Sequence, residues 1–452
     1  MPSMHCLARY GFVLCGLFAV HSIVRAAEAP DCHIGSYRLT DGSLIDIAPS
    51  EGDTLRWRQF DGATGALHKG ADGTWKSTYG WTERSDGKTV AFSACGTGQI
   101  NFGGVSGRRL AFDVKEATFE SHGTSLVGRL VMPRGEARVP IVVLLHGSEP
   151  DSAIHDYSLQ RMLPAEGVGA FVYDKRGTGE SGGHYTQDYS VLADDAVAAV
   201  SKARQLAGRR VGRIGYQAGS QGGWVAPLAA NRLAREGSSL DFVIVCFGLA
   251  VNVLDEDQEA VELQMREKGY PSEVIVKALE VAGAAEAIFE SDFKDGFAKL
   301  DELKARYGSE PWYKDVHGDF AFFVLQQDSD AALRALAPQF DWHTPFHYDP
   351  MPTLRAGKVP QLWILGGEDY EAPSAETSRR IKLLIGEGLP FTLAYYPRAA
   401  HGITLFETDA QGTRVSTRYA SGYFRMIRDF ARQGRLRGTY GDAEVTTPPP
   451  RH

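Results

Sequence analysis

The sequence predicts an α/β protein with a doubly wound, mostly parallel sheet, preceded by a small all-β N-terminal domain. From residue 113 onward, continuous apolar runs alternate with helical stretches, which is typical of strands buried on both faces of a sheet. Before that residue, short alternating segments are separated by Asp-Gly turns. Residues 253–345 interrupt the alternation with charged amphipathic helices, which predicts a helical lid inserted between two strands of the sheet.

The N-terminal segment has the pattern of a secretory signal. Arg9 precedes the apolar run Tyr10–Val24, and small residues follow it. We therefore expect residues 1–27 to be a signal peptide that is cleaved after Ala26 or Ala27, and the protein to be periplasmic or secreted. A retained membrane anchor is the alternative, but the run is about 15 residues and a spanning helix needs roughly 20. No other stretch is long enough to cross a membrane, so we expect no stable membrane insertion.

Residues 28–112 are predicted to form a β-rich accessory domain. The segment Gly35–Ile47 alternates around an Asp-Gly hairpin turn, and the later turns are compatible with either a small sandwich or a barrel. Cys32 and Cys95 flank this segment and could pair in an oxidising compartment, a bridge worth ~4 kcal/mol, or could be two unrelated thiols. A structural role is the preferred interpretation, with ligand binding or shaping of the active-site entrance as alternatives.

Residues 113–437 are predicted to form the catalytic domain, which contains the helical lid at 253–345. Helices are expected at Val191–Leu206 and Trp224–Leu233. The tail, residues 438–452, is expected to be disordered. The expected strands are Leu126–Met132, Val139–Leu145, Gly169–Tyr173, Arg213–Tyr216, Phe242–Phe247, Gln361–Leu365 and Phe391–Tyr395.

Ser220 is the candidate nucleophile. It lies in Gly219-Ser220-Gln221-Gly222, between a predicted strand and a predicted helix. Small residues around a serine in this setting allow a tight, strained turn that lifts the hydroxyl above the sheet edge. Ala218 takes the place of the first glycine of the usual Gly-x-Ser-x-Gly pattern, which is a small-for-small change.

A serine hydroxyl needs a base, and the base needs a carboxylate to orient it. His401 follows the last predicted strand and is the candidate base, whereas the rival His347 precedes a strand. Asp369 follows the preceding strand and is the candidate acid, with Glu368 and Glu371 as alternatives. The chain order serine, aspartate, histidine is the order expected for a serine hydrolase of this architecture.

The oxyanion that forms during acyl transfer needs backbone N–H donors. Gln221, directly after the nucleophile, is one candidate. Ser148, in the loop after the first long core strand, is the other, with Gly147 as its alternative. The conspicuous segment Tyr173–Gly182 is interpreted as a structural turn anchored by its charged residues rather than as a substrate contact.

Composition argues against several other functions. The formal net charge is -8 and no basic run occurs, so a nucleic-acid partner is not expected. No Gly-rich phosphate-binding loop occurs either, so we infer no nucleotide cofactor. The oligomeric state is left open.

Together these motifs resemble the α/β-hydrolase superfamily. From Phe112 to Gln433 the chain is similar to the bacterial EstD-like esterases, which also look related to Xaa-Pro-dipeptidyl-peptidase-like hydrolases. The resemblance is carried by LLHGS at 144–148, YDKRGTGES at 173–181, GSQGGW at 219–224, LGGEDYEAP at 365–373 and AAHG at 399–402. It implies a Ser220–Asp369–His401 triad, no cofactor or metal, and hydrolysis of carboxylic esters.

Three functions follow as hypotheses. The first is an exported carboxylesterase that acts on small-molecule esters. The second uses the same triad to cleave amides as a serine peptidase, which would need an anchor for a peptide terminus that the sequence does not identify. The third is a non-catalytic binding protein on a hydrolase scaffold, which is disfavoured because every catalytic part is present.

Overall fold

The structure is a computed structural model that describes residues 32–327, 329–336, 343–410 and 412–449. The predicted signal peptide, residues 1–27, lies outside the described residues. Within the described ranges, none of the helices combines the length and the apolar character that crossing a bilayer requires.

The N-terminal domain is a closed eight-stranded barrel, which decides between the two predicted β architectures. The barrel closes where its first and last strands pair, with Tyr37 opposite Arg109. Alternate side chains face inward, as in the strand where Ile100 and Phe102 are buried, so a compact apolar core fills the barrel. A disulfide joins Cys32 to Cys95. The barrel strands are β1 (Gly35–Leu39), β2 (Leu44–Pro49), β3 (Leu55–Gln59), β4 (Thr64–Lys69), β5 (Trp75–Thr78), β6 (Ser85–Phe92), β7 (Gln99–Phe102) and β8 (Val105–Arg109).

The second domain is built on a nine-stranded sheet, and the prediction of a doubly wound, mostly parallel sheet is confirmed. The strand order is β19-β16-β15-β14-β13-β11-β12-β10-β9, with parallel pairing through the centre and antiparallel pairing at both edges. The sheet strands are β9 (Phe112–Ser121), β10 (Thr124–Pro133), β11 (Val139–Leu145), β12 (Gly169–Tyr173), β13 (Val211–Gly219), β14 (Phe242–Cys246), β15 (Gln361–Gly366), β16 (Phe391–Tyr396) and β19 (Glu444–Thr446).

Helices cover both faces of this sheet and bury one apolar cluster on each side. One face is packed by α3 (Tyr189–Ala207), α4 (Gly222–Arg235) and α11 (Ala375–Gly386). The opposite face is packed by α1 (Ala153–Asp156), α2 (Leu159–Ala165) and α12 (Tyr423–Gln433). All five residues of β14 are buried, as expected for a strand covered on both faces.

A helical insertion separates β14 from β15. It has its own apolar core, to which Val261, Phe289 and Leu300 contribute. Residues 328 and 337–342 of the predicted lid lie outside the described residues. The helices of the insertion, followed by the short helix that leads back to the sheet, are α5 (Val253–Glu267), α6 (Ser272–Glu290), α7 (Phe297–Tyr307), α8 (Phe320–Leu325), α9 (Asp330–Leu336) and α10 (Met351–Ala356).

A hairpin that the sequence did not reveal follows β16. Its strands β17 (Thr404–Thr408) and β18 (Arg414–Tyr419) pair antiparallel and lie against the barrel. The backbone of β18 comes so close that a Cβ on Gly62 or Gly80 would lie 2.4 or 2.3 Å from a carbonyl oxygen of the hairpin. Both glycines also have positive φ angles, which residues with a side chain rarely adopt. The close contact and the backbone conformation therefore each require glycine at these two positions.

The prediction of a disordered tail from residue 438 is wrong for the described residues up to 449. Tyr440 is buried, and β19 pairs antiparallel with β16, placing Val445 opposite Ala394. Without β19, β16 would present an unpaired row of backbone N–H and C=O groups at the edge of the sheet. Satisfying that edge explains why a short segment rich in polar residues is ordered.

Candidate active site

Ser220 lies in a sharp turn between β13 and α4. Its φ of 49° falls in the left-handed region, which is strained for a residue with a side chain. The turn is held by two hydrogen bonds: the Ser220 N–H donates to the Cys246 carbonyl at 3.1 Å, and the Gly223 N–H donates to the Ser220 carbonyl at 2.7 Å. A Cβ on Gly223 would lie 3.0 Å from Cα of Gly248, so the small residue lets α4 begin directly against the neighbouring chain.

His401 and Asp369 form a hydrogen-bonded pair. The imidazole Nδ1 lies 3.0 Å from Oδ2 and 3.1 Å from Oδ1 of the carboxylate. Asp369 is buried, and its Oδ1 also accepts hydrogen bonds from the N–H groups of Glu371 and Ala372, at 3.0 and 2.8 Å. These bonds fix the carboxylate in the orientation in which it holds the histidine.

The alternative residues occupy different positions. The Glu368 carboxylate pairs with Arg414 at 3.0 Å, and Glu371 lies 3.8 Å from Nε2 of His401, on the opposite side of the ring from Asp369. His347 pairs with the Glu290 carboxylate at an exposed position. Of the three acids in this loop, Asp369 is therefore the one placed to orient Nδ1.

The Phe247 ring lies against both the turn that carries Ser220 and the His401 ring. Its ring centroid lies 4.7 Å from that of His401, and its ring atoms lie 3.0 Å from where a Cβ on Gly219 would be. Ser220 Oγ makes no hydrogen bond within the described residues. The structure therefore brings the two side chains to the same edge of the sheet without forming the serine–histidine hydrogen bond, as is common before substrate binds.

Two backbone N–H groups beside Ser220 are unengaged. Neither the Gln221 N–H nor the Ser148 N–H donates to any group in the part of the chain that the structure describes. The Gly147 N–H donates instead to the Glu149 carboxylate at 3.3 Å. Of the three predicted oxyanion donors, Gln221 and Ser148 are therefore available, whereas Gly147 is already bonded.

The charge environment of His401 favours its protonated form. Burial alone would lower the pKa of the imidazole, but the charges of Asp369 and Glu371 outweigh burial and raise the pKa from 6.5 to about 10. The histidine must therefore give up a proton before it can accept one from a serine hydroxyl.

The Tyr173–Gly182 segment has the structural role predicted for it. Asp174 accepts hydrogen bonds from the Ser152 hydroxyl at 2.8 Å and from the Ile154 N–H at 3.0 Å. Arg176 forms a two-point ion pair with the fully buried Asp195 in α3. These contacts tie the loop after β12 to the helices on either side of it.

Sequence reasoning missed several residues near the site, namely Glu149, Lys175, Phe247, Glu256 and Asp319. Lys175 is buried and its ammonium donates to the Gly147 carbonyl at 2.6 Å, which helps hold the loop that carries the predicted oxyanion donors Gly147 and Ser148. It lies inside the conspicuous Tyr173–Gly182 segment, so that motif was a usable signal. Glu149 directly follows Ser148, so its place beside the predicted oxyanion donors could also be inferred from the sequence. Phe247, Glu256 and Asp319 approach the site through tertiary packing.

One group of metal-type ligands occurs among the described residues. It comprises Cys32, His33 and Cys95, far along the chain from the serine, and its two thiols are joined in the disulfide. The expectation that the reaction uses no metal stays a prediction.

Comparisons with known proteins give only distant structural similarity. No protein-family model matches the chain, and neither does any curated protein. An acylaminoacyl peptidase from Pyrococcus horikoshii is 15% identical with a TM-score of 0.39, and the match covers 79% of this chain and 52% of that one. This chain thus spans about half the length of the peptidase.

Two esterases are similarly distant. One from Pyrococcus furiosus is 17% identical with a TM-score of 0.38, covering 64% of this chain and 84% of that one. One from Pyrobaculum calidifontis is 19% identical with a TM-score of 0.36, covering 64% and 77%. The fold assignment rests on the chain itself: a central parallel sheet, a strained strand–turn–helix at Ser220, and an aspartate and a histidine that follow later strands in that order. The chain has the α/β-hydrolase fold.

Proposed function

We propose that this protein is a serine hydrolase that cleaves carboxylic esters through an acyl-enzyme, with Ser220, His401 and Asp369 as its catalytic triad. The hydrogen bond from His401 Nδ1 to the buried Asp369 carries the proposal. It leaves Nε2 as the nitrogen that can receive the serine proton, at the edge of the sheet where β13 ends in the strained turn. We also propose that the chain groups with the EstD-like esterases, on the motifs described above.

The mechanism follows from these positions. Ser220 Oγ attacks the ester carbonyl carbon while its proton passes to Nε2 of His401. The N–H groups of Gln221 and Ser148 stabilise the oxyanion that results. The alcohol leaves with the proton from Nε2, and water, deprotonated by the same nitrogen, then releases the acid and restores the serine.

Replacing the nucleophile tests the proposal. Ser220→Ala is expected to lower kcat for p-nitrophenyl butyrate by about 10⁵-fold and to abolish covalent labelling by a fluorophosphonate. Ser201→Ala, at an exposed position in α3, serves as the matched control and should keep both the esterase activity and the fluorophosphonate labelling. Esterase activity that survived Ser220→Ala, or a label on another residue, would show that the assignment is wrong.

The same triad could cleave amides, so the substrate comparison matters. Rates for p-nitrophenyl acetate and butyrate should exceed those for aminoacyl p-nitroanilides. The reverse order would identify a serine peptidase, while leaving the triad assignment in place.

We further propose that the protein is exported. The disulfide between Cys32 and Cys95 is compatible with an oxidising compartment. Expression of the full chain in a bacterial host should yield a mature N-terminus at residue 27 or 28 in the periplasm or the medium. An intact N-terminus in the membrane fraction would indicate the anchor instead.

A further inference from the structure

A buried lysine supports the backbone beside the nucleophile. Lys175 follows β12 and is 4% exposed, and its ammonium donates to the Gly147 carbonyl at 2.6 Å. The Lys175 N–H donates to Nε2 of the buried His146 at 3.3 Å. Burial and the charge of Lys175 lower the pKa of that imidazole, which favours the neutral form that accepts this bond. Lys175 is therefore bound to two successive residues of the loop after β11.

The carbonyl that Lys175 holds belongs to the same peptide unit as the Ser148 N–H. A peptide unit is planar and trans, so its N–H points in the opposite direction to its C=O. Glycine restricts the rotation of this unit less than any other residue would. Fixing the Gly147 carbonyl therefore also fixes the direction of the Ser148 N–H. The unit lies beside the nucleophile, since a Cβ on Gly147 would be 3.2 Å from Cβ of Ser220.

The neighbouring backbone groups of this loop are also bound. The Gly147 N–H donates to Oε1 of Glu149 at 3.3 Å, and the Ser148 carbonyl accepts a hydrogen bond from the Tyr185 hydroxyl. The Ser148 N–H is the exception, because it donates to no group within the described residues. One donor is thus left over in a stretch of backbone that is otherwise held in place, which is what stabilisation of an oxyanion requires.

Tyr185 and Lys175 also support each other. The Lys175 ammonium lies 5.0 Å from the centroid of the Tyr185 ring, a distance at which a cation and a ring attract. The Tyr185 hydroxyl accepts a hydrogen bond from the Gln187 amide at 3.2 Å, and that amide accepts one from the Thr344 hydroxyl at 3.0 Å. The two side chains that hold the loop are therefore themselves held by their neighbours.

We propose that Lys175 and Tyr185 are positioning residues of the proposed oxyanion site: they hold the Gly147–Ser148 peptide unit so that the Ser148 N–H points at the oxyanion formed on Ser220. This inference rests on the proposed hydrolase function. A cation bound to the carbonyl also polarises the peptide unit and makes its N–H a stronger donor. The gain is largest when the substrate oxygen carries a full negative charge, so Lys175 stabilises the transition state more than the bound ester.

A lysine with only a structural role would behave differently. If Lys175 did no more than hold the loop after β12, its loss would weaken the binding of all ligands alike, whatever the charge on their oxygen. A role in positioning the oxyanion donor affects ligands that form an oxyanion and spares ligands that do not. A comparison between these two kinds of ligand therefore separates the two roles.

Kinetics of lysine variants give the first measurement. Lys175→Met removes the charge and keeps most of the volume, and it should lower kcat for p-nitrophenyl butyrate by about 10- to 100-fold while KM changes by less than about twofold. Lys175→Arg restores a cationic donor and should recover part of the loss. The matched control is Lys382→Met, an exposed lysine on α11, which should keep the kcat of the unchanged enzyme. Rates are expressed per active site, counted from the end point of fluorophosphonate labelling.

A transition-state analogue gives a more selective measurement. A trifluoromethyl ketone with a butanoyl chain adds to Ser220 Oγ, whose proton passes to His401, and the carbonyl oxygen becomes an oxyanion. The corresponding trifluoromethyl alcohol has a similar shape but cannot form this adduct. In Lys175→Met the inhibition constant of the ketone should rise by the same factor by which kcat/KM falls. The inhibition constant of the alcohol should stay within about twofold.

Tyr185→Phe provides an independent measurement, which decides the question if Lys175→Met does not fold. This variant keeps the ring that faces the lysine and removes the hydroxyl that binds the Ser148 carbonyl. The ketone should bind about threefold to tenfold more weakly, as expected for the loss of one hydrogen bond, and the alcohol should bind as before.

The outcomes separate this inference from the proposed function. Unchanged inhibition by the ketone in Lys175→Met, or in Tyr185→Phe where Lys175→Met does not fold, overturns the positioning role and leaves the triad in place. Equal weakening of the ketone and the alcohol overturns it too. Failure of the unchanged enzyme to hydrolyse esters in a reaction that depends on Ser220 overturns the proposed function itself.

Discussion

The proton on His401 governs the pH dependence of the proposed reaction. Since the charges of Asp369 and Glu371 raise the pKa of this imidazole to about 10, kcat/KM should climb with pH through the alkaline range. Replacing Glu371 with glutamine removes one of those charges. We expect Glu371→Gln to move the rising limb of the kcat/KM profile about one unit toward lower pH.

Glu368→Gln is the control for that measurement, because the Glu368 carboxylate pairs with Arg414 and not with His401. Its profile should match that of the unchanged enzyme. A rising limb that stays in place in Glu371→Gln would mean that Glu371 does not act on the reacting nitrogen. The same raised pKa affects folding: the stabilisation by protonated His401 is complete below pH 6.5 and is lost as the pH rises through about 10.

Sequence alone located the residues whose roles depend on local pattern. Ser220, Asp369 and His401 each follow a strand, and parallel strands place their carboxyl ends at one edge of the sheet, so the three could be grouped from the sequence. Glu256 and Asp319 could not be found this way. They come from the helical insertion, whose placement over the sheet depends on packing between segments far apart in the chain.

At the scale of single elements, the loop after β12 depends on a buried ion pair. Arg176 is 13% exposed and Asp195 is fully buried. Asp195→Ala would leave the guanidinium without its partner and should lower the free energy of unfolding by about 3–5 kcal/mol. Chemical denaturation followed by tryptophan fluorescence measures this.

An exposed helical pair provides the contrast. Glu262 and Arg266 lie one turn apart on α5, with 39% and 67% of their side chains exposed. Glu262→Ala should cost no more than about 0.5 kcal/mol. Equal losses for Glu262→Ala and Asp195→Ala would contradict the claim that burial makes the Arg176–Asp195 pair important.

The elements that sequence reasoning missed form only by pairing or packing with another segment of the chain. The β17–β18 hairpin and β19 are short and polar, with no strong apolar alternation of their own. β19 forms because it pairs with the backbone groups at the edge of β16. The hairpin forms because it packs against the barrel. The long buried strands could be predicted, since their apolar runs are visible without knowledge of partners.

Across the whole molecule, hydrogen bonds connect the barrel to His401, the proposed catalytic base. The Trp81 N–H donates to the Ser416 carbonyl at 2.8 Å. The Ser416 hydroxyl lies 2.9 Å from that of Thr404, which donates to the His401 carbonyl at 3.0 Å. The accessory domain therefore supports the loop that carries His401, the proposed base, a role beyond the general structural one inferred from sequence.

Weakening this support should impair catalysis without unfolding the barrel. The Trp81 ring packs edge-on against Tyr419 at 5.5 Å and under the Arg56 guanidinium at 4.3 Å. Trp81→Ala should lower kcat by about tenfold while KM changes little. A poorly positioned His401 would weaken stabilisation of the transition state but would leave substrate binding unchanged. Steady-state kinetics on p-nitrophenyl butyrate test this.

Phe92→Ala provides the comparison. Phe92 packs against His33 and Trp75 inside the barrel and makes no ring contact with the hairpin. This variant should lower the thermal stability of the barrel yet keep kcat while the protein is folded. If Phe92→Ala and Trp81→Ala reduce kcat equally at a temperature where both are folded, the effect comes from barrel stability and not from the contact with the hairpin.

The docking of β18 on the barrel also has a consequence for the order of assembly during synthesis. The barrel is complete once Arg109 has left the ribosome, and domains near the N-terminus generally fold first. The hairpin that packs against the barrel ends at Tyr419. The barrel surface that contacts the hairpin therefore stays exposed to solvent until most of the remaining chain has been translated. The histidine loop is seated only at that final step, and a truncated translation product is therefore expected to be a folded but inactive barrel.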